Sequence, residues 1–99
     1  MWVKLRINHE LRQGLNLDSP NSHEISISVP IGESILRMIS NLAKGDPVLW
    51  KSIFDEKDQI IQPNVMVILN DRIVNPYDPS EAGLKDGDEL AFLPMFDGG

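Results

Sequence analysis

The sequence predicts an α+β fold in which a mixed sheet packs on one main helix, and three observations carry the prediction. Two stretches near the start alternate apolar and polar residues with a period of two, the pattern of strands with one wet face. The spacing changes once to the helical period, between Ile35 and Ala43. The last third then returns to strand patterns divided by turn residues. A chain of 99 residues with 41% hydrophobic content suffices for one core and seldom for two, so residues 1–99 are read as a single domain.

In chain order, "WVKLRINHEL" sets Val3, Leu5 and Ile7 against Lys4, Arg6 and Asn8. "LNLDSPNS" is turn chemistry, with Asp18, Pro20 and Asn21. "HEISISVP" alternates again, Ile25, Ile27 and Val29 against Ser26 and Ser28, so the two runs read as a hairpin. In "IGESILRMISNLAKGD" the residues Ile35, Ile39 and Leu42, joined by Leu36 and Ala43, predict one buried helical stripe. The helix is expected over Glu33 to Lys44, its start held within Gly32 to Ser34 and its end at Gly45.

From Val48 to Pro63 the pattern admits a short helix or an ordered loop, with Leu49, Trp50, Ile53 and Phe54 toward the core and "DEKDQ" in solvent. The five consecutive apolar residues Val65 to Leu69 predict a strand covered on both faces or at the centre of the sheet. Asn70-Asp71 reads as a tight turn and Arg72 to Val74 as a short return strand. "NPYDPSEAGL" is an irregular crossing, and Asp86-Gly87 turns the chain into a last strand over Glu89 to Leu93. This order fits a β-grasp topology, in which the last strand lies in the middle beside the first and its end projects freely. An α+β sandwich of another connectivity has the same order of elements.

Composition removes several classes of function. A net charge of −6 argues against a general nucleic-acid binder, which needs a basic surface, and favours a basic partner surface. Without cysteine there is no disulfide framework, thiolate metal site or cysteine nucleophile. No run approaches the roughly 20 apolar residues of a membrane span, and the amino terminus lacks the layout of a signal peptide. A soluble, cytoplasmic chain with no membrane role is the expectation. His9 and His23 have no second ligand at a recognised spacing, and Asp86 to Glu89 does not have the spacing of a calcium loop, so a turn accounts for it. No glycine-rich phosphate cradle is present, so ATP is expected to bind elsewhere. Nothing here calls for a metal or a bound cofactor.

"VMVILNDRIV" followed by "GLKDGDELAFLPMFDGG" resembles the ubiquitin-like sulfur carriers, in particular the small subunit of molybdopterin synthase and its relatives. The shared pattern is a strand ending in an Asn turn, a Leu-x-Asp-Gly-Asp-Glu turn, a strand, a proline exit and a terminal Gly-Gly. It is specific over Val65 to Gly99, looser over "LWKSIFDEKDQIIQPN" and topological before that. The long middle segment is similar to extended members, which include ubiquitin-related protein modifiers. The exit is Pro94-Met95, where the family often has Pro-Pro.

The resemblance implies a carrier with no catalytic residue of its own. An ATP-dependent, E1-like partner would adenylate the carboxylate of Gly99, and sulfur from a donor would replace the adenylate. The glycyl adenylate and the thiocarboxylate are then transient modifications. The acceptor would be a larger synthase subunit or another sulfur acceptor, with molybdopterin biosynthesis the leading pathway. The alternative is a protein modifier joined through Gly99 to lysines, and a third reading is a β-grasp interaction domain without carboxyl-terminal chemistry. Within the extended tail, residues 94–99, Gly98 and Gly99 would thread a narrow channel, since glycine allows close approach of backbone to ligand. A terminal glycine pair alone is weak evidence, because frayed tails favour small residues.

If Leu90 and Phe92 point inward, Ala91 and Leu93 point outward beside Ile73 and Ile68. That makes an apolar patch next to the tail, the usual mark of a binding site. Ile73, Leu93, Pro94, Met95 and Phe96 are the expected partner contacts. The competing expectation is that the Val48 to Pro63 segment covers this face.

Overall fold

The computed structural model describes residues 1–8, 11, 23–78, 80–81 and 83–95. The turn expected at "LNLDSPNS", His9, and the tail from Phe96 to Gly99 lie outside the described residues.

Strands β1 (Trp2–Ile7) and β2 (His23–Ser28) pair antiparallel, with Leu5 opposite Ile25 and Val3 opposite Ile27. That register puts both apolar sets on one face. The last strand, β7 (Glu89–Pro94), runs parallel to β1 and antiparallel to β5 (Val65–Leu69), and β6 (Arg72–Ile73) closes the far edge. The order β2-β1-β7-β5-β6 is the β-grasp arrangement, with the last strand paired on both sides. The sandwich of other connectivity is thereby excluded. The run Val65 to Leu69 is not the central strand and is not covered on both faces: Val65 and Val67 are buried, whereas Met66 and Ile68 are half-buried on the other side.

The main helix, α1 (Ile35–Gly45), starts later than expected because Ser34 is its cap: Ser34 Oγ accepts from the Arg37 N–H at 3.2 Å. The Glu33 backbone is engaged outside the helix, donating to Pro30 O and accepting from Leu84 N–H at 3.1 Å. Gly45 is the last helical residue and does not end the helix. Asp46 does, its N–H on Leu42 O and its carboxylate accepting from Leu49 N–H, which opens α2 (Pro47–Trp50). Pro47 disfavours helical backbone in the residue before it and suits the first position of the next helix. The buried stripe is Ile35, Met38, Ile39 and Ala43, with Leu36 and Leu42 half-buried against it.

The Val48 to Pro63 segment joins the core from the α1 side. Trp50, Ile53, Phe54 and Ile61 are buried, and the Trp50 ring meets Phe92 edge-on at 5.9 Å between centroids. Beyond the short helix it contains a ribbon of β3 (Phe54–Asp55) and β4 (Ile60–Ile61), turned by an Asp55 carboxylate that accepts from Lys57 and Asp58 N–H.

Both expected turns before β7 are present. Asn70 and Asp71 have φ of 49° and 70°, the positive values of a type I′ hairpin, and Gly87 has φ of 88°. Asp88, 9% exposed, ties them together. One carboxylate oxygen accepts from Asn70 Nδ2 at 2.9 Å and the other from Lys85 N–H at 2.7 Å, while Asn70 Oδ1 accepts from Glu89 N–H at 2.9 Å. Asp86 accepts from Trp2 N–H at 2.7 Å. Backbone bracing accounts for these acids. Asp88→Ala strands two donors and is expected to cost about 1–3 kcal/mol in urea unfolding, with Asp88→Asn recovering part of it.

Candidate functional site

Strand alternation assigns each face of the sheet. Val3, Leu5, Ile7, Val65, Val67, Leu90 and Phe92 fill the face under α1, so the residues between them form the outer face. There Leu93 stands opposite Met66, Ala91 opposite Ile68, and Ile68 opposite Ile73. The result is one apolar block across β7, β5 and β6, with Ile73 70% exposed at its rim. Because Trp50 packs on Phe92, the Val48 to Pro63 segment lies on the inner face and does not cover this block. Met66 was not among the expected contacts. Its signal was present in the apolar run, since a strand that turns Val65 and Val67 inward must turn Met66 outward.

Across β1 and β2 the outer face changes character. Lys4 Nζ lies 3.9 Å from Glu24 and 3.6 Å from Glu89, and Arg6 lies 3.2 Å from Glu24. All four side chains are about half exposed, so each pair contributes at most about 1 kcal/mol. Their effect is to border the apolar block with charge. The dimple at the seam, about 30 Å³ and lined by Lys4, Ile68, Glu89 and Ala91, has room for little more than a water.

The exit of the chain follows directly from this sheet. Pro94 is half-buried opposite Val65, and one residue further the Met95 N–H donates to Asn64 O at 2.6 Å. Even-numbered residues of β7 face β1, as the bond from Asn8 N–H to Phe92 O shows. The N–H that Pro94 lacks would point to Asn8 O, just past the last β1 pair, and that carbonyl instead accepts from Leu11 N–H at 2.9 Å. Met95 is 50% exposed and by alternation continues the row of Ala91 and Leu93. The departure from Pro-Pro has a consequence here, because Met95 supplies an N–H that a second proline cannot. Phe96, Gly98 and Gly99 lie outside the described residues. By alternation Ile73, Leu93 and Met95 share the outer face, whereas Pro94, opposite the inward Val65, turns to the inner one.

Asp78, in a remote turn, is held below the usual carboxylate range by hydrogen bonds from the Ser80 N–H and hydroxyl. Among the described residues no group of three His, Asp or Glu side chains is placed to hold a metal, and no helix is long and apolar enough to cross a membrane.

The ThiS family model matches residues 5–99 of the chain. No curated protein matches it in sequence. Among solved structures, SAMP1 from Haloferax volcanii is similar with a TM-score of 0.73 at 18% identity, covering 100% of both chains. A putative molybdopterin converting factor, subunit 1, from Pyrococcus furiosus is similar with a TM-score of 0.62 at 25% identity, over 96% of this chain and 98% of that one. A chain of the BexX/CysO complex from Amycolatopsis orientalis gives 0.62 at 24% identity, over 98% and 99%. The likenesses under 25% identity show the fold alone. The family match spans nearly the whole chain, including the last strand and the terminal glycines, and by it this chain belongs to the ThiS family, among the ubiquitin-like sulfur carriers.

Proposed function

We propose that the chain is a sulfur carrier whose Gly99 carboxylate is adenylated by an ATP-dependent, E1-like enzyme and converted to a thiocarboxylate. The carboxylate attacks the α-phosphorus of ATP, pyrophosphate leaves, and sulfur from a donor then displaces AMP. The acceptor proposed is a larger synthase subunit, with molybdopterin assembly as the leading pathway. The chain contributes the carboxyl group and the docking surface, and the catalytic groups and ATP site belong to partners in the cytoplasm.

The observation that carries this reading is the position of β7. It holds the core with Leu90 and Phe92, presents Ala91 and Leu93 outward, and runs straight into the tail. Docking on the outer face would then bring the carboxyl terminus to the partner at a fixed place. The likeness to the putative molybdopterin converting factor, subunit 1, from Pyrococcus furiosus supports the pathway.

A second reading is conjugation through Gly99 to lysines of other proteins, and the fold that small archaeal modifier protein 1 of Haloferax volcanii shares is compatible with it. Activation is the same in both, and only the final nucleophile differs, sulfur or a lysine amine. Intact-mass analysis of the chain from its native cells separates them. Exchange of one oxygen for sulfur at Gly99 is the expected result. Isopeptide remnants on other proteins, without that exchange, would replace the carrier reading by the modifier one, and finding neither would sink both.

A further inference from the structure

Resting on the carrier reading, we propose that the Met95 backbone N–H, held by the Asn64 carbonyl, is the fixed point from which the carboxyl terminus is delivered to the adenylating enzyme. Met95 is then a positioning residue that acts through its main chain.

The bond is the last rung of the β5-β7 ladder, 2.6 Å long and one residue beyond the strand. Its acceptor is firmly placed. The turn that contains Pro63 and Asn64 is closed by the bond from Val65 N–H to Gln62 O at 3.0 Å. Gln62 is anchored in turn, its N–H on Ile53 O at 2.7 Å and its side-chain amide on Lys51 O at 3.2 Å. Ile53 is 0% exposed and Trp50, three residues before it, packs on Phe92. A continuous path of bonds and contacts therefore runs from the core to the point where the chain leaves the sheet. The sequence carries no sign of it, because both groups in the rung are main-chain.

Two consequences follow for delivery. The rung keeps Met95 in strand geometry, so its side chain extends the apolar row of Ala91 and Leu93. It also sets the reach to the Gly99 carboxylate of the carrier reading, since residues 96–99 span that distance and four extended residues cover at most about 14 Å. Val65 and Pro94 still face each other, but in an antiparallel ladder hydrogen-bonded pairs alternate with unbonded ones. Without the rung the last hydrogen-bonded pair is therefore Met66 with Leu93, and the segment past the anchor grows by two residues. A one-residue change of anchor moves the reactive carbon by about 3.5 Å, where a misplacement of about 1 Å already costs on the order of a hundredfold in rate.

Three variants separate the roles of the rung, the side chain and the reach. A semisynthetic chain with an ester in place of the Pro94-Met95 amide removes the N–H and keeps the side chain. Met95→Ala does the opposite, and insertion of one glycine between Met95 and Phe96 keeps the rung and lengthens the reach. Pyrophosphate release by the ATP-dependent adenylating enzyme of the same cells is measured while the concentration of each chain is varied. The ester and the insertion are each expected to lower the maximal rate at least about tenfold with KM near the parent value, whereas Met95→Ala raises KM several-fold and keeps the rate. An ester or an insertion chain that turns over at the parent rate overturns the proposal. Amide exchange on the free chain is a second, enzyme-independent readout: Met95 should be protected, and exchange as fast as in an unstructured peptide would also overturn it. Should the parent itself not be adenylated, the carrier reading fails and this role falls with it, whereas adenylation of all four at one rate removes the positioning role alone.

Discussion

A chain lacking Gly99 is expected to bind the activating enzyme, to melt with the parent and to yield no thiocarboxylate. Deletion leaves Gly98 as the terminal residue but moves the reactive carbon back by about 3.5 Å. Acyl-adenylate formation needs the carboxylate in line with the α-phosphorus, and a displacement of about 1 Å can cost a hundredfold, so at least about a hundredfold loss is expected here. Binding persists because the apolar block on β5, β6 and β7 is untouched. The counterpart is Leu93→Glu, which sets a carboxylate beside Met66 on the outer face. On docking that charge is desolvated without a partner, and affinity for the activating enzyme should fall at least about a hundredfold. Leu93 is half-buried and outside the inner core, so this variant should unfold close to the parent. Single-turnover adenylation, a binding titration and a melt on both variants complete the comparison. Adenylation of the truncated chain at the parent rate would show that Gly99 is not the working end, and unfolding of Leu93→Glu would show that the patch is structural.

How much of this was legible in the sequence depended on whether the signal lay in side-chain order or in the backbone. The alternation around Val3, Leu5 and Ile7 and around Leu90 and Phe92 survives intact, because a strand with one buried face leaves a period of two in the residues themselves. Asn70-Asp71 was readable for a similar reason, since few residue pairs tolerate two positive φ values. The ribbon of Phe54–Asp55 with Ile60–Ile61 was not, as strands of two residues are too short for any period. Met38 escaped the helical stripe although it is 1% exposed, because the stripe is wider than the spacing of Ile35, Ile39 and Leu42 suggested. In the site, Ile73 and Leu93 follow from alternation once β7 is known to pair with β5. The neighbour relation between Met66 and Leu93 depends on a pairing between segments far apart in sequence. The rung from Met95 to Asn64 leaves no mark on any side chain.

Phe92→Ala is expected to cost about 3–5 kcal/mol, the range for emptying a large aromatic site in a packed core. The ring is 0% exposed, and its residue stands between Ile7 of β1 and Val67 of β5. It also loses the edge-on contact with Trp50, through which the Val48 to Pro63 segment joins the sheet. A domain of this size has a total stability of about 5–15 kcal/mol, so the loss is roughly a fifth of it or more. Its melting temperature should drop by about 12–40 °C, since each kcal/mol is worth roughly 4–8 °C in a domain of this length. The effect should reach the site although Phe92 touches no partner. Ala91 and Leu93 flank it on the outer face of the same strand, and protection of their amides against exchange should fall with that of the core. Phe92→Leu refills most of the volume and should restore most of both. If Phe92→Ala melted within a few degrees of the parent, β7 would not be the strand on which the core closes, and a tail anchored to it would have no rigid base from which to present its carboxylate.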